Sequence, residues 1–118
     1  MNFSYRIYTD IENERKFNKI FDKLSKREAY PELYLVTLPI FNHGMFEIYS
    51  YMELMQHFYK TVDDKITILG ISTSKAGAKE LVADIISDMN VLGFGFDSKA
   101  YISYLRNENI KEKAMENL

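Results

Sequence analysis

Lys65-Ile66-Thr67-Ile68-Leu69-Gly70-Ile71, running on through Ser72-Thr73-Ser74-Lys75-Ala76-Gly77-Ala78, is the stretch on which the fold turns. Its first seven residues are mostly apolar and β-branched, the pattern of a strand covered on both faces. From Lys75 to Val91, residues Ala78, Leu81, Val82, Ile85, Ile86 and Met89 recur at helical spacing, while Lys79, Glu80, Asp84 and Asp88 stay off that stripe. A buried strand that feeds an amphipathic helix is half of a βαβ unit.

Working outward, Glu32-Leu33-Tyr34-Leu35-Val36-Thr37-Leu38 reads as a second buried strand, closed by Pro39. Before it, Phe17, Ile20, Phe21 and Leu24 form the stripe of a helix beginning near Asp10, with Thr9 and Glu12 at the spacing of a reciprocal cap. Phe3, Tyr5 and Ile7 alternate with Ser4, Arg6 and Tyr8 as a short N-terminal strand. Residues Met45 to Tyr59 contain neither Gly nor Pro and predict a helix of about four turns. Beyond Gly93-Phe94-Gly95-Phe96, Lys99 to Leu105 fits a last strand, with a helix from Asp97 or Ser98 as the competing reading. The expected fold class is α/β: a small, mostly parallel sheet with helices on both faces, built on a βαβαβ core with an extra N-terminal strand, in three α/β/α layers. Residues 1–106 are expected to form one domain, and the polar residues 107–118 a frayed helical or disordered tail.

Composition narrows the function. A length of 118 residues suits one core, and 47% hydrophobic with 27% charged residues is the balance of a globular chain. The formal charge of −2 disfavours a nucleic-acid binder, and the lack of cysteine removes disulfides, thiol nucleophiles and thiolate metal sites. No run approaches a membrane span, and Met1 to Arg6 lacks the apolar core of a signal peptide, so the expected location is cytoplasmic.

Two loops carry the candidate chemistry, since ligands of parallel sheets bind where strands end. One is residues 70–77, where Ser72, Thr73, Ser74 and Lys75 stand at a helix start and would hold an anion on free backbone N–H groups. It matches neither a Walker nor a dinucleotide-binding fingerprint, and Thr73 or Ser74 as an ordinary cap is the simpler reading. The other is residues 39–44, with Asn42 and His43; His43 is a candidate general base, and a loop histidine beside Asn42 as a helix cap is the simpler reading. If the two strands were parallel neighbours, Asn42 and His43 would face Ser72, Thr73, Ser74 and Lys75 across one crevice. Glu53 and His57 share a helix face at i, i+4 but have too few companions for zinc, so neither a metal nor a cofactor is expected. Lys16, Lys19, Lys23, Lys26 and Arg27 gather opposite the apolar stripe of the first helix; they read as a solvated face, with an acidic polymer as the functional alternative.

The predicted helix Met45 to Tyr59 has apolar residues nearly all round. Met45, Ile48, Tyr49, Met52 and Met55 lie on one side, and Tyr51, Leu54 and Phe58 extend round a second. A helix on a small sheet buries one face, so the surplus points to another chain: a homodimer or a different protein. The leading functional expectation is thus a non-enzymatic, self-associating, partner-binding domain. The alternative is a small anionic-ligand or enzymatic site at loops 39–44 and 70–77.

Overall fold

The computed structural model describes residues 1–40 and 44–116, and of residues 110 and 112–116 only the backbone. Four strands, β1 (Asn2–Thr9), β2 (Tyr34–Thr37), β3 (Glu47–Ser50) and β4 (Thr67–Ser72), make one sheet in the order β1-β4-β2-β3. Around it lie α1 (Glu14–Ser25), the short helices α2 (Tyr51–Leu54) and α3 (His57–Lys60), a 3₁₀ turn (Asp63–Lys65), α4 (Lys75–Val91) and α5 (Ser98–Glu116).

The sheet is mixed, which corrects the expectation of a mostly parallel one. Only β1 and β4 run parallel; β2 is antiparallel to β4, and β3 to β2. The cause is the segment after α1. The chain leaves that helix through a Schellman turn, Arg27 N–H donating to the Leu24 carbonyl (3.0 Å) and Glu28 N–H to that of Lys23 (2.9 Å). Residues 29–32 then run back along α1, so β2 starts at the end of the sheet where β4 finishes, Tyr34 opposite Ser72. A parallel crossover would have entered β2 directly from the far end of the helix.

Each sheet face carries its own core. Ile20 and Leu24 of α1 and Tyr51 and Leu54 of α2 pack with Leu35, Tyr49, Ile68 and Ile71 on one side. Ala78, Leu81, Ile85 and Met89 of α4 and Tyr101 of α5 pack with Tyr8, Val36 and Leu69 on the other. Helices on both faces are therefore found, and a fully buried Leu or Ile among them contributes roughly 1.5–3 kcal/mol. Leu35 opposes Ile71 and Val36 opposes Gly70, but Thr37 opposes Ile68, so Leu69 is a bulged extra residue. That bulge is how Ile68 and Ile71 reach the same face three residues apart. Gly70 lets α4 lie close: a Cβ there would stand 3.1 Å from the Val36 Cβ and 3.4 Å from Leu81 Cδ1.

Two expected elements differ. Residues 99–105 belong to α5 and not to a strand; Asp97 Oδ1 accepts from Ala100 N–H (3.0 Å) at its start. The expected helix Met45 to Tyr59 is instead β3 followed by the separate turns α2 and α3. Ser50 caps α2, its hydroxyl accepting from Glu53 N–H (3.1 Å), and the helix stops at Met55. The apolar surplus is consumed inside the fold: Tyr51 and Leu54 are fully buried, while Met45, Ile48 and Met55 are partly buried against the two cores. Met52 and Phe58 remain exposed, at 48% and 59%. Glu53 and His57, expected on one helix face, sit on two different helices.

Candidate functional site

Because β1 and β4 are parallel, the helices that follow them begin at one end of the sheet. Asn13 caps α1, its Oδ1 accepting from Lys16 N–H (3.0 Å), and Ser74 caps α4, its hydroxyl accepting from Gly77 N–H (2.9 Å). Ser72, fully buried, donates to Asp10 Oδ2 (2.7 Å) and accepts from Ser74 N–H (3.2 Å). Asp10 thus brings a carboxylate to the positive end of α4, the position where an external anion was expected. Of that expected set, Ser72 and Ser74 are engaged within the chain, whereas Thr73 and Lys75 are exposed.

The loop 39–44 is elsewhere. Thr37 pairs with Ile68, and Leu38 N–H donates to the Thr67 carbonyl (3.0 Å), so the chain enters this loop at the opposite end of β4 from Ser72. Asn42 and His43 lie outside the described residues. The crevice in which they would face Ser72, Thr73, Ser74 and Lys75 required a parallel β2, and the antiparallel register sends the two loops apart.

What does converge on the exposed Thr73 is the face of α1. Lys16, Lys19 and Lys23, at i, i+3 and i+7, line an open groove of about 540 Å³ together with Tyr30, Glu32 and Thr73. The row spans roughly 10 Å along the helix axis. An adjoining hollow of about 300 Å³ shares Lys16 and Thr73 and is lined by Asp10 and Asn13. Pro31 and the left-handed backbone of Glu32 (φ 56°) shape the far wall, a conformation that L residues other than Asn and Asp adopt rarely. None of the three ammonium groups, and neither Tyr30 nor Glu32, has an ion-pair, ring or side-chain hydrogen-bond partner among the described residues.

That separates the groove from the other polar clusters, whose charged groups meet partners within the chain. Between β1 and α4, the buried Tyr101 hydroxyl lies 2.7 Å from that of Tyr8, which donates to Asp88 Oδ2 (2.5 Å). Arg6 completes the set, 3.4 Å from Asp88 and 4.4 Å above the Tyr8 ring. Burial, then the bond to Asp88, raises the Tyr8 phenol far above the ordinary tyrosine value. Near the start of β4, Arg27 pairs with Asp63 (2.7 Å) and donates to the Leu54 carbonyl (3.3 Å). At the β2–β3 connection the Glu47 carboxylate accepts from Ile40 N–H (2.5 Å) and the Tyr49 hydroxyl (3.0 Å). Among the described residues no group of three metal-ligating side chains occurs, and no helix is long and apolar enough to cross a membrane.

The sequence alone reads these lysines as a solvated face. The i, i+3, i+7 spacing was the available signal; the return of residues 29–32 along α1, which turns the face into a wall, was not visible locally. Comparison with protein-family models, with curated proteins and with solved structures finds no match.

Proposed function

We propose that this chain is a small α/β binding protein that holds an anionic ligand in the groove between α1 and residues 29–32. The observation that carries the reading is the row of three lysines, Lys16, Lys19 and Lys23, unpaired among the described residues, along a groove that Thr73 also lines. Cations that meet no carboxylate among the described residues are available to a ligand, and a concave wall screens them less than a flat surface would. The volume falls in the range of small-molecule sites. This keeps the end of β4 as the site expected from the sequence but draws its charge from α1. Support for self-association through Met45, Ile48, Tyr51, Met52, Leu54, Met55 and Phe58 weakens, because that expectation needed one continuous helix with two apolar faces.

Thermal melting with inorganic pyrophosphate tests the proposal. A ligand at about one hundred times its dissociation constant adds roughly 2.7 kcal/mol, a rise of several degrees for a domain of this size. The rise should vanish in a Lys16→Ala/Lys19→Ala/Lys23→Ala variant and shrink as salt increases. A pyrophosphate shift unaltered by the triple substitution would place the anion elsewhere and overturn the reading.

A further inference from the structure

The groove holds more than lysines. Tyr30 lines it half-buried, without a ring contact or hydroxyl partner among the described residues, and Glu32 stands in the same wall two residues on. Ammonium groups alone accept any anion. Ammonium groups beside an aromatic ring that packs against the α1-side core yet keeps part of its surface in the groove suit an anion attached to a flat π system, because ring stacking and phosphate neutralisation add in one ligand.

Glu32 narrows the class further. Glu32 lines the groove and no lysine of the row pairs with it, so an unneutralised carboxylate stands beside the three ammonium groups. It would repel a phosphate and therefore belongs opposite a part of the ligand that donates hydrogen bonds. A carboxylate offers two acceptor oxygens and no donor. The base edge that matches it presents two adjacent donors, which guanine does through its ring N–H and exocyclic amino group. Adenine and cytosine place a ring acceptor beside their amino group, and uracil flanks its single N–H with carbonyls.

Building on the anion-binding reading, we infer that the ligand is a free guanine nucleotide: phosphates on Lys16, Lys19 and Lys23, the base against the Tyr30 ring, and its donor edge on the Glu32 carboxylate. The groove volume accommodates a ligand of that size.

Calorimetric titration with GDP, ADP, UDP, pyrophosphate and a guanine-containing RNA hexamer tests this, on the wild type and on the Tyr30→Leu and Glu32→Gln variants. GDP should bind at least about tenfold more tightly than ADP or UDP, the effect of a charge-assisted bidentate pair. Glu32→Gln, at an exposed position and nearly isosteric, should erase the preference for GDP over ADP while pyrophosphate, freed of a repelling carboxylate, binds no more weakly than to the wild type. Tyr30→Leu should weaken GDP by about tenfold through loss of stacking. If pyrophosphate binds through the lysines but GDP is no tighter than ADP, the base assignment falls and the anion site stands. If neither nucleotide nor pyrophosphate binds, both fall. Tighter binding of the hexamer than of GDP would overturn the free nucleotide in favour of a polynucleotide.

Discussion

Gly77 has no room for a methyl group. A Cβ at this position would stand 2.2 Å from Asp10 Oδ2, 2.3 Å from Ser72 Oγ and 2.9 Å from Ser74 Oγ. In most helix interiors Gly→Ala stabilises by about 1 kcal/mol. Here the added carbon would have to expel the Asp10 carboxylate or the fully buried Ser72 hydroxyl from the bond that joins them. Gly77→Ala is therefore expected to destabilise by about 2 kcal/mol net, the ordinary cost of overpacking, measured as the shift in urea midpoint. A neutral or stabilising Gly77→Ala would mean that Asp10 does not close over the start of α4. What Gly77 accommodates is a carboxylate delivered from the end of β1, a long-range juxtaposition that local spacing does not encode.

Elements were legible where one local pattern settled them. The helix over Lys75–Val91 has its boundaries as read, since Ser74 caps it and Gly93, in the left-handed region, closes it, with Phe94 N–H donating to the Met89 carbonyl (2.9 Å). The end of α1 lacked such a mark: Arg27, not glycine, takes the left-handed position (φ 57°), and its guanidinium is held by Asp63 and the Leu54 carbonyl. Residues 45–59 misled for a different reason. A four-residue strand and two single-turn helices each fall below the length at which periodicity discriminates, and their apolar residues sum to the appearance of one long helix. Burial now separates these residues. Leu54→Ala should cost about 2–5 kcal/mol, because the side chain is fully enclosed by the α1-side core. Met52→Ala, at a side chain 48% exposed, should change stability by no more than about 0.5 kcal/mol. Equal costs at the two positions, from denaturant titration, would contradict the burial of Leu54 and the exposure of Met52 on α2.

Across the whole molecule, buried tyrosines tie both layers to the sheet and couple stability to alkaline pH. Tyr8 sits on the α4 side; Tyr49 and Tyr51 sit on the α1 side, where Tyr51 donates to the Glu28 carbonyl (2.7 Å). Burial is the main cause that raises all three phenols above the ordinary value of 10.0, reinforced by Asp88 at Tyr8 and by Glu47 at Tyr49, and opposed by Arg27 at Tyr51. A raised value means that the native state holds the phenol proton more tightly than the unfolded chain does. Below pH 10 both states are protonated and the stabilisation is complete. Above it the unfolded chain ionises first, and stability falls by up to about 1.4 kcal/mol per pH unit for each such tyrosine. The urea midpoint should accordingly decline as pH rises from about 10 to 11, in step with tyrosinate absorbance on unfolding. Tyr8→Phe/Tyr49→Phe should flatten that decline while lowering stability at neutral pH, since Asp88, Tyr101 and Glu47 each lose a partner. A midpoint constant over that range in the wild type would show that these hydroxyls ionise as freely in the folded chain as in the unfolded one, which their burial on both faces of the sheet forbids.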